Sequence, residues 1–466
     1  RLQAVVARKL KEYDIAACGP NCIGLYNTEK GVCLWGDPYK LENRPGPVGV
    51  VAHSGAVSIV LSNAGRDLGY SKVISCGNEA GTPVPEYIRY LADDDQTKII
   101  ACFLETVRDP AGFQAAVRYA LSRNKPVLTL RVGRSETGKK TAAAHSGALA
   151  GSSAVTDAYF KKCGVMMVKS IDELLEACEL LMKLKDKLPE KERVAMTAIS
   201  GGLLSLSSDT AEDEGVKLAV INQETHDALA KVLPVFSTPH NPLDVSIALF
   251  DPPAYQECIR IMEKDPSVGM ILVCQECEQA LLEDQDYIYW DIVKAVAELS
   301  GQLDKPLAVF CPLAGGLHPS IKKILDAAGV PLLQGLQETM RAVAILMEYA
   351  RIRRSLREEE PMEERRPGMT AQFTSGDSLS ESEGKALLKA YDIPVARDIL
   401  VHSAGEAVGA ADAIGYPVVM KVDSPDIQHK TEAKAVKLGV SGPEEVRAAY
   451  DELLANARAY NAEARV

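Results

Sequence analysis

Two segments of the sequence place a serine and a glycine between an apolar strand and a helix. Val51 to Ala56 and Ala198 to Leu203 follow this pattern in two successive parts of the chain. Glycine lets the backbone turn tightly, and the free amides of a helix start favour an anion, phosphate above all. Because glycine is common at such junctions, one corner would be weak evidence, but two helix starts directed at one point would hold a phosphoryl group. The candidate phosphate-binding residues are Ser54, Gly55, Ala56, Ser200, Gly201 and Gly202.

A third segment contains a candidate phosphoryl acceptor. His145 lies among alanine, glycine and serine residues in a stretch, 133–151, that follows a predicted strand. Parallel sheets bind ligands at that edge, and a neutral imidazole accepts a phosphoryl group when its second nitrogen is held by an acceptor. A histidine in a loop is otherwise usually just solvated. The small neighbours favour a loop that packs close to a ligand and moves.

Glu105 is the candidate acceptor that orients this imidazole. It directly follows the predicted strand Ile99–Leu104, so we expect it at the same edge of the sheet as His145. A carboxylate at this place can instead cap a helix or pair with Arg108. Both alternatives stay open at the level of the sequence.

The elements that must position these residues alternate between short apolar strands and amphipathic helices, which predicts parallel βαβ units and an α/β fold. In residues 47–187 the predicted strands are 48–52, 72–75, 99–104, 126–132 and 165–168, and the helices are 56–68, 85–92, 112–122, 153–162 and 171–186. In residues 192–350 the strands are 194–199, 269–273 and 307–311, and the helices are 203–214, 284–300, 318–328 and 335–350.

The two ends of the chain depart from this alternation. Residues 1–35 contain a helical pattern, a predicted short strand at Ile15–Ala17 and a turn at Cys18–Cys22, which cannot bury a core alone. We expect them to pack on later segments, or to end a domain whose beginning is absent. The charge run at 351–370 predicts a solvated linker, and residues 378–466 have an α+β pattern.

Composition excludes several classes of protein. The 466 residues suggest about three domains, and 47% apolar with 25% charged residues is an ordinary globular composition. The formal charge of −12 argues against a nucleic-acid partner. We find neither an apolar run of about 18 residues, which a membrane helix would need, nor a secretory signal at the start.

The eleven cysteines show no framework spacing, which predicts a reduced, cytoplasmic protein. Cys274 and Cys277 form a Cys-x-x-Cys motif at the end of an apolar run. We interpret them as buried or idle thiols, with redox or metal chemistry as the alternative. The sequence predicts no metal site.

The residues of these motifs and their order along the chain resemble those of the NDP-forming (ADP-forming) acyl-CoA synthetases, or acetate–CoA ligases, of the succinyl-CoA synthetase superfamily. Each motif alone is modest, but together, in this order and over nearly the whole chain, they are highly specific. The matching segments are Gly19–Leu25, Gly49–Ala56, Leu104–Glu105, Ala144–Gly151, Ser200–Gly202, Asn241–Val245, Gly415–Lys421, Ser424–Pro425 and His429–Thr431.

The resemblance implies an α/β fold built from several domains. These are a remnant of a Rossmann CoA-binding domain, two flavodoxin-like doubly wound CoA-ligase domains, and the start of an ATP-grasp domain. Their expected bounds are 1–40 for the CoA-binding remnant, 44–187 and 190–350 for the ligase domains, 351–375 for the charged linker and 376–466 for the ATP-grasp part.

The resemblance also implies an activity. A carboxylic acid, CoA and a nucleoside triphosphate, expected to be ATP, would interconvert with acyl-CoA, the diphosphate and phosphate through an acyl phosphate and a phosphohistidine. His145 would be the phosphorylated residue and Glu105 its orienting group. Pro20, Asn21 and Cys22 would contact CoA or the acyl group, and Ile23, Cys76 and Asn78 could line the same pocket. Lys421 would contact the nucleotide, and Mg²⁺ would neutralise its phosphates.

Further expectations follow from the family. His429 would act as a second phosphoryl relay, unless it only shapes a turn, and a homodimer or larger oligomer is expected. The glycine-rich start of the CoA-binding domain is missing, the ATP-grasp part stops at Val466, and Lys434-Ala435 stand where the family usually has two glycines. We therefore expect a fragment, or a chain completed by another, that does not finish the nucleotide half-reaction. The alternatives are a CoA-responsive regulatory or acyltransferase-associated protein of the same superfamily without ligase turnover, and a scaffold with a degenerate site.

Overall fold

The computed structural model describes the chain as two compact units, Arg1–Glu358 and Glu359–Val466. The backbone is described for residues 2–36, 45–64, 66, 68–146, 153–246, 251–281, 287–358, 379–390, 393–427 and 429–465. The side chains of residues 142–146, 287, 288 and 358 lie outside the described part.

The first unit contains a seven-stranded sheet, here called sheet one, in the order β2-β1-β4-β3-β5-β6-β7. The strands β3 to β7 are parallel, and β1 and β2 are antiparallel additions at the edge beside β4. The strands are β1 (Gly24–Asn27), β2 (Val32–Trp35), β3 (Pro45–Ala52), β4 (Tyr70–Ser75), β5 (Ile99–Leu104), β6 (Val127–Arg131) and β7 (Met166–Val168).

The five parallel strands have the order 2-1-3-4-5 when they are counted along the chain, which is the flavodoxin-like arrangement. Strands β4, β5 and β6 are buried along their whole length, as expected when helices cover both faces. Those helices are α2 (Gly55–Ser62), α3 (Val84–Asp93), α4 (Pro110–Ser122), α5 (Glu136–Ser146), α6 (Ser153–Cys163) and α7 (Ile171–Leu184).

The first residues of the chain pack on sheet one. Helix α1 (Leu2–Glu12) is followed by an irregular segment and then by the β1–β2 hairpin, which pairs with β4 from Gly24 beside Ser75 to Asn27 beside Lys72. The predicted strand at Ile15–Ala17 is wrong, because the carbonyl of Ala17 accepts a hydrogen bond from the Thr82 amide in a loop and joins no ladder.

A second sheet, sheet two, repeats the same arrangement with five parallel strands in the order β12-β11-β10-β8-β9. Its strands are β8 (Val194–Ala198), β9 (Leu243–Asp244), β10 (Met270–Cys274), β11 (Leu307–Cys311) and β12 (Leu332–Gln334). The surrounding helices are α8 (Gly201–Asp213), α9 (Gln223–Val232), α10 (Pro252–Lys264), α11 (Tyr287–Ser300), α12 (Pro319–Ala327) and α13 (Leu336–Glu358). The α/β fold class with two flavodoxin-like sheets is therefore confirmed.

Helix α13 runs on to Glu358, through the first part of the predicted linker. Its basic residues bind backbone and carboxylate groups of the first unit: Arg351 and Arg354 pair with Glu192, and Arg353 donates to the carbonyl of Leu121. Residues 351–357 thus belong to a helix, so the prediction of a linker is wrong for them, and the two units divide directly after this helix.

In the described residues of the second unit, a two-stranded antiparallel sheet lies among three helices. Alanine and valine side chains of α15, α16 and the strands form its small core. The elements are α14 (Glu381–Ala390), α15 (Ala404–Ile414), β13 (Val418–Lys421), β14 (Val436–Val440) and α16 (Pro443–Tyr460). This unit agrees with the predicted α+β pattern.

Candidate functional site

The first serine corner lies at the point where sheet one reverses its winding. Strand β3 is flanked by β4 on one side and β5 on the other, and ligands of doubly wound sheets bind at the carboxyl ends of such strands. His53 and Ser54 follow β3, and Glu105 follows β5. The structure therefore brings Ser54 and Glu105 to one edge, as the sequence predicts.

Ser54 caps helix α2, because its hydroxyl accepts a hydrogen bond from the amide of Val57 at 3.3 Å. The first bond within the helix runs from the amide of Ser58 to the carbonyl of Ser54 at 3.1 Å. The amides of Gly55 and Ala56 precede that bond and belong to the group that a helix leaves unsatisfied at its start. A phosphate here would bind to these amides, while the serine hydroxyl has a capping role.

The second corner repeats this geometry in sheet two. Ser200 caps α8 by accepting from the amide of Leu203 at 3.4 Å, and the first bond of the helix runs from Leu204 to the Ser200 carbonyl at 3.0 Å. Gly201 and Gly202 are exposed at the helix start. A β-carbon at Gly201 would lie 3.3 Å from a carboxylate oxygen of Asp244, which follows from the close approach of β9.

Close packing against Ile23 requires glycine at position 55. A β-carbon there would lie 2.7 Å from Cγ2 of Ile23, closer than real side-chain contacts. The helix start of α2 is therefore in direct contact with the turn that the sequence assigns to CoA or acyl binding.

That turn lies against the loop after β4. The amide of Asn78 donates to the carbonyl of Pro20 at 2.9 Å, and the amide of Ala80 donates to the carbonyl of Gly19 at 2.8 Å. Pro20 and Asn21 are exposed, whereas the thiol of Cys22 faces the carbonyl of Cys18 at 3.7 Å. The two exposed residues are available to a ligand, and the Cys22 side chain supports the turn.

A buried histidine–carboxylate pair lies directly beneath the first corner. Nε2 of His53 is 3.0 Å from Oε1 of Glu79, and their side chains are 4% and 2% exposed. The other ring nitrogen, Nδ1, accepts the backbone amide of Glu105 at 3.0 Å. Arg108 approaches the same Glu79 oxygen with its Nε atom at 3.5 Å. Arg108 thus pairs with Glu79, and the alternatives that the sequence leaves open for the Glu105 carboxylate stay open.

Glu79 is ionised in this environment. Burial by itself would raise its pKa, but His53, the Val84 amide at 2.8 Å and the Arg108 guanidinium outweigh burial and lower the pKa. The residue also has a φ angle of 54°, in the left-handed region that non-glycine residues rarely adopt. A carboxylate that keeps this backbone conformation must be held by its surroundings, which is typical of functional sites.

The backbone at His145 differs from the prediction. Residues 136–146 form helix α5, so His145 lies in the last turn of a helix, and the expectation of a loop is wrong at this residue. Ser135 starts the helix by accepting from the Gly138 amide at 3.0 Å, and the alanines at 142–144 have the highest helix propensity of all residues. The His145 side chain lies outside the described part of the chain, and the pairing of Glu105 with His145 stays a prediction.

The two candidate nucleotide residues lie in the second unit. The Lys421 ammonium pairs with the carboxylate of Glu381, which Lys385 also contacts at 3.0 Å and Lys430 at 3.7 Å. His429 is exposed, and its carbonyl accepts the amide of Ala433 at 3.1 Å. Lys385 also pairs with Asp398 at 3.0 Å, so three lysines face two carboxylates and leave a small excess of positive charge, which suits an anionic ligand.

Comparison with known proteins identifies the family. A model of the succinyl-CoA ligase-like flavodoxin domain matches residues 45–181, and one of the ATP-grasp domain matches residues 370–466. The acetate–CoA ligase (ADP-forming) II subunit alpha of Pyrococcus furiosus is 31% identical over 344 residues, which are 73% of this chain and 72% of the relative. The chain belongs to the ADP-forming acyl-CoA synthetases.

Comparison with two further members of the family shows what share of their length this chain covers. The acetate–CoA ligase (ADP-forming) I of Archaeoglobus fulgidus is 30% identical over 476 residues, covering 100% of this chain and 66% of the relative. The chain therefore spans slightly less than two thirds of that relative's length. An acetyl-coenzyme A synthetase of Candidatus Korarchaeum cryptofilum, solved with phosphate and ADP, has a TM-score of 0.64 and 25% identity, covering 77% of this chain and 75% of its own.

The sequence analysis assigned no role to the two residues beneath the first corner, His53 and Glu79. Glu79 was not predicted, and His53 was quoted in a motif without a role. The position of Glu79 could have been predicted, because it follows strand β4 at the same edge of the sheet as Ser54 and Glu105. What the sequence could not show is the left-handed backbone that turns the Glu79 side chain inward.

The cysteine motif is the remaining candidate that the sequence singled out. Cys274 and Cys277 are 1% and 0% exposed, so the interpretation as buried thiols is confirmed, and burial raises the pKa of Cys274 to about 12. Within the described ranges no three histidine, cysteine, aspartate or glutamate side chains come together as a metal site. Likewise, none of the helices in those ranges is both long and apolar enough to cross a membrane.

Proposed function

We propose that the protein is a ligase that interconverts a carboxylic acid, CoA and ATP with acyl-CoA, ADP and phosphate. The observation that supports this most is the repeated corner: in a member of the synthetase family, two flavodoxin-like sheets each end a strand in a serine-capped helix start at their winding reversal. Such starts bind phosphoryl groups through backbone amides. A regulatory protein or a scaffold is not favoured, because the named relatives are ligases.

In the acyl-CoA-consuming direction, a phosphate oxygen attacks the thioester carbonyl, the C–S bond breaks, and CoA leaves as its thiol. The resulting acyl phosphate transfers its phosphoryl group to a ring nitrogen of His145, and the P–O bond to the acyl group breaks, which releases the acid. Amides of Gly55, Ala56, Gly201 and Gly202 would stabilise the charge on the transferred group. Glu105 would accept a hydrogen bond from the N–H of the other ring nitrogen and keep the imidazole in its nucleophilic tautomer.

The second unit would complete the cycle by passing the phosphoryl group to ADP. Lys421 would bind a phosphate of the nucleotide in place of Glu381, and His429 would act as an intermediate acceptor. Mg²⁺ would supply charge neutralisation at the nucleotide phosphates, and we assign no described residue as its ligand. The exposed Pro20 and Asn21, with Cys22 behind them, would border the CoA and acyl site.

Other properties of the whole protein stay predictions. We expect a cytoplasmic enzyme that works as a homodimer or larger oligomer. The acid that it uses is to be found by a phosphate-release screen over short, branched, aromatic and dicarboxylic acids with ATP and CoA.

Labelling the intact protein with γ-³²P-ATP and Mg²⁺ tests the proposal. We expect an acid-labile, base-stable label in the wild type and in His240→Ala, a control in another segment. In His145→Ala the label from ATP should stay on His429, whereas the label from the acyl-CoA and ³²P-phosphate should disappear. His429→Ala should block labelling from ATP while leaving labelling from the acyl-CoA and ³²P-phosphate intact. A wild-type protein that takes no label from either donor would exclude the ligase.

A further inference from the structure

His53 connects two parts of the site that the family motifs treat separately. One ring nitrogen receives the Glu105 amide and the other faces Glu79, so the imidazole bridges the end of β5 and the loop after β4. The amide of His53 itself donates to the carbonyl of Phe103 at 3.0 Å. Both its backbone and its side chain therefore hold the segment that carries Glu105.

The hydrogen bonds determine the tautomer of this ring. The Glu105 amide is a donor, so Nδ1 of His53 must carry a lone pair, and the proton of the neutral ring is on Nε2. That proton faces the Glu79 oxygen at 3.0 Å. Because Nδ1 accepts the Glu105 amide and the side chain is 4% exposed, His53 is not a phosphoryl acceptor.

Glu79 is fixed in turn by independent contacts. Its second oxygen accepts the Val84 amide at 2.8 Å, at the start of α3, and Arg108 lies 3.5 Å from the first oxygen. The neighbouring amides of Asn78 and Ala80 bind the carbonyls of Pro20 and Gly19. The left-handed φ of Glu79 is therefore held from both sides, by its side chain and by the turn at 19–22.

We infer that His53, held by Glu79, is a positioning residue for Glu105. The inference rests on the proposed function, in which the Glu105 carboxylate orients His145. In that mechanism the Glu105 backbone must be held within a fraction of an ångström, because second-shell groups of this kind change activity by about 10- to 100-fold when removed. His53 receives the one backbone donor of Glu105 and thereby sets the direction in which its side chain leaves the strand.

Variants of His53 that keep one of its two contacts, or neither, separate this role from simple packing. His53→Asn keeps an acceptor near the place of Nδ1, so it can still receive the Glu105 amide. His53→Gln reaches towards Glu79 in place of Nε2, and His53→Ala provides neither contact. We expect kcat of the intact enzyme, with the best acid from the screen, to fall about 10- to 100-fold in His53→Ala and His53→Gln. His53→Asn should recover most of it, with KM for CoA unchanged in all three.

His318 offers a matched control. As a whole residue it is 7% exposed, as His53 is, and its Nδ1 accepts the Ser320 amide at 3.3 Å, but it caps helix α12 and packs against Trp290. His318→Ala should lower the thermal midpoint without lowering kcat. If His53→Asn and His53→Ala lose kcat equally, or if neither loses any, His53 does not position Glu105.

Two measurements keep the inference testable if His53→Ala does not fold. Long-range ¹H–¹⁵N spectra of the wild-type ring should show the Nε2–H tautomer of His53, and an Nδ1–H or doubly protonated ring would overturn the inference. The label from ATP and Mg²⁺ tests the proposed function separately: a wild-type protein without label fails as a ligase, whereas label with unaffected His53 variants removes only the positioning role.

Discussion

Nε2 of His53 and Oε1 of Glu79 lie 3.0 Å apart, buried beyond the carboxyl ends of β3 and β4. A buried carboxylate is costly unless hydrogen bonds or a charged partner compensate it. Glu79 has such partners in the Val84 amide and Arg108 as well as in His53, which explains why its pKa is lowered despite burial. The pair therefore stabilises the fold only while Glu79 is ionised.

The first prediction concerns stability in acid. Because the pKa of Glu79 is below its usual value of 4.5, the folded state binds fewer protons than the unfolded state in this range. Stability should be fully present above about pH 4.5 and fall as the pH is lowered through the folded pKa. Glu79→Gln should lower the free energy of unfolding at pH 7 by about 1–3 kcal/mol and flatten this acid decline.

Urea unfolding between pH 3 and 8 measures both effects. Glu86→Gln, at an exposed position on α3, is the control and should change stability by less than about 0.5 kcal/mol. An acid decline in Glu79→Gln as steep as in the wild type would show that Glu79 is not its source.

Much of the fold follows from local patterns. The strand Ile99–Leu104 was predicted with its exact bounds because six apolar residues stand between polar flanks, and a strand buried on both faces reads in this way. Helix α2 was predicted to reach Leu68 but ends at Ser62, because Asn63 closes it by donating its side-chain amide to the carbonyl of Ile59 at 2.8 Å. Helix ends depend on such single contacts.

Features that depend on distant segments were missed. Helices α9 and α10 were not predicted. The antiparallel pairing of β13 with β14 was not predicted either. At the candidate site, the placement of Ser54, Glu105 and Ser200 at strand ends follows from chain order and topology rules. The inward turn of Glu79 and the bridge through His53 depend on a left-handed backbone and a partner 26 residues away along the chain, which no local pattern encodes.

The second prediction tests the contact between the loop after β4 and the turn at 19–22. Gly77 and Gly31 have φ angles of 54° and 61°, so alanine is strained to a similar degree at both. At Gly77, a β-carbon would also lie 2.3 Å from the carbonyl oxygen of Pro20, whereas at Gly31 nothing lies within 4 Å. Gly77→Ala should therefore cost clearly more stability than the roughly 1 kcal/mol expected for Gly31→Ala.

Thermal unfolding and CoA titration distinguish these variants. We expect weaker CoA binding in Gly77→Ala, because the displaced carbonyls belong to the turn proposed to border the CoA site. Equal midpoints and equal affinities for the two variants would indicate that the turn adjusts without cost.

The third prediction concerns Asn241, the first residue of the Asn-Pro-Leu-Asp-Val signature, whose side chain joins three backbone groups. Its Nδ2 donates to the carbonyls of Val194 and Ala219 at 2.9 and 2.8 Å, and its Oδ1 accepts the Met196 amide at 2.8 Å. An aspartate has no donor for the two carbonyls, so Asn241→Asp should destabilise the protein by about 2–4 kcal/mol. Asn222 caps α9 through its oxygen alone, and Asn222→Asp should leave urea unfolding almost unchanged. Equal effects would contradict this account.

The fourth prediction concerns the position where the family usually has glycine. Lys434 has a φ angle of 50°, a conformation that glycine adopts without cost. Lys434→Gly should stabilise the second unit by about 0.5–1 kcal/mol, while Lys434→Ala, which removes the charge but keeps the strain, should not. Hydrogen exchange of the amides in β13 and β14 reports the local stability. No slowing of exchange in Lys434→Gly would show that the backbone there is unstrained.

The last prediction uses the repeat of the two sheets. Ala52 is paired with Phe103, and Glu105 follows two residues later. In sheet two Thr197 is paired with Val273, so Ala198 stands beside Cys274, and Glu276 follows two residues later. Glu276 thus occupies in sheet two the place that Glu105 has in sheet one. Its Oε2 atom is buried and has no hydrogen-bond partner among the described residues.

Burial raises the pKa of Glu276, so the folded state binds more protons than the unfolded state above pH 4.5, and stability must fall as the pH rises through this window. Glu276→Gln removes the charge and should stabilise the protein at pH 7, on the order of 1 kcal/mol, with little effect at pH 4. Glu298→Gln removes a charge at an exposed position on α11 and serves as the control in urea unfolding at both pH values. The prediction fails if both variants shift stability equally, or if the gain of Glu276→Gln is the same at pH 4 and pH 7, because either result means that the ionisation of Glu276 is not the cause.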